Sequence, residues 1–140
     1  MITEDYVNFE TAKLLKEKGF DEECFAYYYV MPHKTVIAYD KDFPKNSDLS
    51  LIYTNLEFGS LPTLQMAMKW LREEHNLHII ALPYAPIDRP PYHPGEADVV
   101  YIGQIFKGII PIDEVGRSII KLSPEEAYQV SIQYCLENLI

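Results

Sequence analysis

A chain of 140 residues with 48% apolar and 24% charged residues has the composition of an ordinary globular domain, able to bury a core without staples. Its 21 acidic and 12 basic residues leave a formal net charge of −9, which disfavours non-specific contact with nucleic-acid phosphates or anionic membranes. No stretch reaches the ~20 apolar residues of a membrane span, and the acidic start Met1-Ile2-Thr3-Glu4-Asp5 is not followed by the apolar region of a signal peptide. The expectation is a single cytoplasmic domain over 1–140.

In chain order, the first predicted element is a helix over Phe9–Lys18. Asn8 is its N-cap, Gly19 its left-handed stop, and Phe20 is placed to touch Leu15 as in a Schellman ending. Cys24–Met31, rich in tyrosine and phenylalanine, reads as a strand. Pro32-His33-Lys34 turns the chain, and Thr35–Asp40 returns as the hairpin partner. Within the strand, Tyr27, Tyr28 and Tyr29 must alternate faces. Lys41–Ser50 is polar and reads as loop, followed by a short strand at Leu51–Tyr53.

Ser60 is read as opening a second helix, with Pro62 in its first turn. Leu64, Ala67, Met68 and Leu71 give it a buried face, and Asn76 ends it. Leu77–Leu82 and Val99–Phe106 read as strands, with shorter ones at Ile109–Ile112 and Ser118–Leu122. Between them, residues 83–94 carry five prolines, which block regular hydrogen bonding and favour extended geometry. The last helix begins Ser123-Pro124-Glu125-Glu126, an N-cap serine, an N1 proline and a capping-box glutamate, and runs to about Asn138.

That helix has two apolar stripes, one of Tyr128, Ile132, Cys135 and Leu139 and one of Ala127, Val130 and Tyr134. It should therefore pack on the sheet and on something else, either the first helix or another subunit. The order of elements indicates an α+β fold, an antiparallel or mixed sheet of about 4–5 strands with three helices packed mainly on one face.

Three segments carry a resemblance: 6–21 (Tyr-Val-Asn-Phe through Lys-Gly-Phe-Asp), 63–79 (Thr-Leu-Gln-Met through Leu-His-Ile) and 125–139 (Glu-Glu-Ala-Tyr through Glu-Asn-Leu). Together they resemble a group of small uncharacterised proteins of Bacteroides and its phages and prophages. The resemblance covers the three helices, under half of the chain. It implies a setting, a mobile element in a gut bacterium, and no reaction.

The six glycines are dispersed, so no phosphate-binding loop is present, and no serine has a nucleophile-elbow context. Cys24 and Cys135 read as buried thiols. Glu74, His75 and His78 would fall on a helix end and a strand, not at helical zinc spacing. Asp40, Asp42 and Asp48 lack the spacing of a calcium loop and read as solvated carboxylates. No catalytic, cofactor-binding or metal-ligating residue is assigned, and no cofactor is expected.

The proline-rich stretch is the candidate binding element, because it holds Tyr84, Asp88, Arg89, Tyr92 and His93 on a stiff tether. Two readings follow. The first is an acidic accessory protein acting through an unknown protein partner or through self-association as a homodimer, with no nucleic acid and no membrane involved. The second is a small enzyme with an acid/base site of Asp88, Tyr92 and His93 near residues 83–94.

Overall fold

The computed structural model describes residues 4–84, 100–117 and 122–140. Along them run α1 (Phe9–Glu17), β1 (Ala26–Met31), β2 (Lys34–Tyr39), α2 (Asn46–Ile52), β3 (Phe58–Ser60), α3 (Leu64–His75), β4 (Leu77–Tyr84), β5 (Val100–Lys107), β6 (Ile110–Val115) and α4 (Pro124–Asn138). The broad α+β class is as expected. The single sheet is not: the strands form two antiparallel sheets of three, ordered β2-β1-β3 and β4-β5-β6, and there are four helices among the described residues.

Local chemistry explains the ends of α1 and α4. The Asn8 side chain accepts from the Thr11 N–H at 2.8 Å. At the other end Gly19 takes φ +97°, and the Phe20 N–H donates to the Leu15 carbonyl while Gly19 N–H donates to that of Lys16. These are the two bonds of a Schellman motif, and they turn Phe20 back into the core. At α4, Ser123 Oγ accepts from the Glu126 N–H and Glu126 Oε1 from the Ser123 N–H, closing the capping box.

Three expectations need correction around residues 46–63. The polar stretch before Ser50 contains α2, and Leu51 belongs to its last turn rather than to a strand. Asn46, Ser47 and Asp48 favour loops when their side chains compete with the helix backbone. Here those groups serve as connections instead. Asn46 donates to the Phe20 carbonyl and accepts from the Ser60 N–H, both at 2.8 Å. Asp48 accepts from the Lys45 N–H, and Asp21 accepts from the Ser47 N–H. Ser60 caps no helix, because it lies in β3 opposite Tyr27. The cap of α3 is Thr63, which accepts from the Met66 N–H.

The second sheet is a meander in which β5 pairs with β4 over its whole length. Residues 118–121, expected to begin a further strand, lie outside the described residues, and the Leu122 carbonyl accepts from the Tyr101 N–H.

Helix α4 packs against β4, β5 and β6 and also against α1 and α3. Its two stripes are thus covered by the sheet and by helices of the same chain. A second subunit is not needed to explain them. On its polar side Gln129 bridges to α1, donating to Thr11 Oγ1 and accepting from the Asn8 N–H. One continuous core joins the two sheets through Leu15, Phe20, Trp70, Leu71, Ile105 and Leu136. On the face of the second sheet turned away from α4, Ile80 is 46% and Leu82 39% exposed, while Val100 and Ile102 are buried. No described helix is long and apolar enough to cross a membrane.

Candidate functional site

Segments that sequence places far apart meet where the chain enters α3. The residues before α1 run antiparallel to those before α3: Tyr6 bridges Thr63, the Val7 N–H donates to the Pro62 carbonyl, and the Leu64 N–H donates to that of Asp5. This pairing fixes Tyr6 beside the first turn of α3. Phe25 stands just ahead of β1, its carbonyl held by the Asp40 N–H at 2.8 Å.

Phe43 closes the turn after β2 with φ +50°, a left-handed conformation costly for a bulky residue. The turn is imposed by its surroundings. The Phe43 N–H donates to the Asp40 carbonyl, the Asp42 N–H to Asp40 Oδ1, and Pro44, which biases its predecessor away from helix, offers its carbonyl to the Cys24 N–H. Left-handed strain at a non-glycine residue costs about 1–3 kcal/mol and persists only where neighbours over-determine it. Here it lays the Phe43 ring against that of Phe25, centroids 5.8 Å apart. Tyr39 continues the row, 5.4 Å from Phe25 and 6.4 Å from Tyr6.

Of these rings, Tyr6, Phe25 and Phe43 line a cleft of about 400 Å³ together with Leu61, Thr63, Met66 and the carboxylates of Glu4 and Glu23. Phe25 is 43%, Phe43 47% and Tyr39 60% exposed, so a large aromatic surface faces solvent beside carboxylates. Neither Glu4 nor Glu23 is ion-paired to a described residue. Burial, followed by nearby Tyr39, Glu4 and Cys24, raises the pKa of the Tyr6 hydroxyl above its ordinary value. The cleft therefore offers apolar ring faces and negative charge, an arrangement that attracts a cation carried on an apolar stem.

A second aromatic cluster lies on the outer face of the first sheet and is already satisfied within itself. Tyr28 points inward and is buried, while Tyr27 and Tyr29 point out. Tyr29 stacks on Tyr53 at 4.9 Å, Tyr53 on Phe58 at 6.3 Å, and the Lys16 ammonium caps the Phe58 ring at 3.5 Å. The Tyr27 and Tyr53 hydroxyls share a hydrogen bond of 3.3 Å, which, with burial, pushes the Tyr53 pKa up to about 12.

Of the residues in the proline-rich stretch, Tyr84 ends β4, donates its hydroxyl proton to the Arg117 carbonyl at 3.0 Å and lies under the Arg117 guanidinium. Asp88, Arg89, Tyr92 and His93 lie outside the described residues, and so does the acid/base site read from them. The His75 ring packs edge-on against Trp70 at 4.8 Å, and His78 Nε2 contacts Asn76 Oδ1 at 3.2 Å. Among the described residues no group of three or more His, Cys, Asp or Glu side chains is placed to hold a metal ion.

Both thiols are buried, and burial raises each pKa to about 12. Ser60 Oγ is the buried side-chain oxygen without a hydrogen-bond partner among the described residues. It sits beside the Cys24 thiol and draws that pKa down against the larger effect of burial, while Glu22 adds to the rise.

Sequence reasoning missed the cleft, because its lining comes from four separated segments. One signal was present: Phe43, a large aromatic directly before a proline in a polar stretch, with no periodic apolar neighbour to bury it. No protein-family model matches the chain, no curated protein matches it, and no solved structure matches it.

Proposed function

We propose that this protein acts by binding another protein, as a small accessory factor without catalytic activity of its own. The observation that carries this reading is the exposed row of Tyr39, Phe25 and Phe43, the last two lining an open cleft. Isolated exposed apolar residues are ordinary on soluble proteins, but contiguous aromatic surface beside a cleft is the usual character of an interface core. The held, strained turn at Phe43 supports the same reading, since strain of this kind clusters where a side chain must be presented. A cytoplasmic site of action, in a mobile element of a Bacteroides-type bacterium, belongs to the same proposal and rests on the charge and the resemblance described above.

The test is affinity capture from a Bacteroides lysate with three baits: the native protein, Phe25→Ser/Phe43→Asn, and Tyr84→Ala/Tyr92→Ala. Asparagine tolerates left-handed backbone, so the first variant keeps the turn. The expected result is a partner held in fixed ratio by the native bait and lost from the first variant alone. Retention of that partner by the first variant and its loss from the second would move the interface to the proline-rich segment. An identical background from all three baits would contradict the proposal.

A further inference from the structure

The aromatic cleft does not end at its own walls. It shares Glu4 and Thr63 with a neighbouring depression of about 200 Å³ that reaches Glu125 and Tyr128 on α4. On its other side it shares Glu23 and Met66 with one of about 330 Å³ that reaches Trp70 and Glu73 on α3. Three depressions joined in this way form one groove that follows α3 from its N-cap, Thr63, to Glu73 in its last turn. Its apolar lining is concentrated in the central cleft, at Tyr6, Phe25, Phe43, Leu61 and Met66, while the part beside Trp70 is lined mostly by charged side chains. Carboxylates occur in all three parts, whereas the cations among the lining residues, Lys45 and Lys69, are confined to the last, where Lys69 is already 3.9 Å from Glu73.

Resting on the interaction reading above, we propose that this groove receives an extended, basic, amphipathic segment of a partner polypeptide. A lysine or arginine side chain of that segment lies along the ring faces of Phe25 and Phe43, with its charge toward Glu4 and Glu23. Such a side chain has the two properties the central cleft asks for, an apolar stem and a cationic head. The flanking depressions give room for neighbouring side chains, which a small free amine would leave empty. Nucleic acid and anionic lipid carry the wrong charge for these carboxylates, and a second copy of the chain brings its own net charge of −9.

The test is a fluorescence-anisotropy titration of the full chain with a labelled peptide alternating lysine and leucine, with a peptide alternating glutamate and leucine as control. The native protein should bind the first and ignore the second. Glu4→Gln/Glu23→Gln should weaken binding at least about tenfold, and Phe43→Asn, which leaves the net charge unchanged, by a similar factor. Glu17→Gln/Glu137→Gln removes the same charge outside the groove lining and should leave binding within about twofold of native.

Loss of binding in both glutamate pairs with none in Phe43→Asn would mean diffuse attraction and overturn the proposal. Absence of binding to the basic peptide would overturn it too. If a captured partner nevertheless depends on Phe25 and Phe43, the interaction reading stands and only the basic chemistry of the partner falls.

Discussion

Gly103 lies on β5 where α4 crosses it, and a β-carbon there would run into Ser131 Oγ and crowd the Ala127 carbonyl. Ser131 cannot swing aside freely, since its hydroxyl donates back to that same carbonyl at 2.6 Å in a fully buried position. Gly103→Ala should therefore push the helix off the sheet and destabilise the protein by about 2–3 kcal/mol, read as a lower urea midpoint. The two thiols make a second prediction. Folded, Cys24, Cys135 and Tyr28 keep their protons to about pH 12 because burial penalises the charged form, whereas unfolded cysteine and tyrosine begin to lose them near their ordinary 9.0 and 10.0. A folded pKa above the unfolded one means that the native state binds more protons across that window. Stability is then full below pH 9.0 and falls as pH rises toward about 12, by up to roughly 1.4 kcal/mol per pH unit for each group. Denaturant titrations across that range should show the decline. At neutral pH a thiol reagent should label neither cysteine until denaturant is added, and rapid labelling of either in the native protein would contradict the burial described here.

At the scale of elements, the helices bounded by paired signals were readable from sequence. Asn8 with Gly19, and Ser123 with Pro124 and Glu126, fix their ends through bonds within a few residues, so local chemistry suffices. Helix α2 was not readable because it has seven residues and one fully buried anchor, Leu49, too little for a periodic pattern to emerge. Its stability comes from Asn46, whose partners are a carbonyl 26 residues back and an amide 14 residues ahead. Asn46→Ala should strand both groups in a buried setting and cost about 2–4 kcal/mol. Hydrogen exchange should then show α2 and β3 opening together. Ser123→Ala, by contrast, removes only an exposed cap and should cost about 1 kcal/mol. An equal loss from the two would mean that α2 is not tied to the core as described.

Across the whole molecule, three helices and the first hairpin could be anticipated, but the division into two sheets could not. It depends on β3 returning to β1 rather than joining β4, a choice made by three residues without a pattern. The groove inherits the same difficulty. Tyr6, Phe25, Phe43 and Met66 belong to four separate segments, and only the pairing of the N-terminal stretch with residues 62–64 and the forced turn at Phe43 bring them to one surface. Among the described residues, apolar side chains face solvent in the acidic groove and elsewhere, as at Ile80 and Leu82 on the second sheet and at Leu51 and Ile52 on α2. The most direct measurement is a map of backbone amide chemical shifts on the labelled protein as the lysine–leucine peptide is added. Shifts concentrated at Tyr6, Phe25, Phe43, Leu61 and Met66 are the predicted result. Shifts concentrated at Ile80, Leu82 and Ile112, or spread evenly over the surface, would contradict the account.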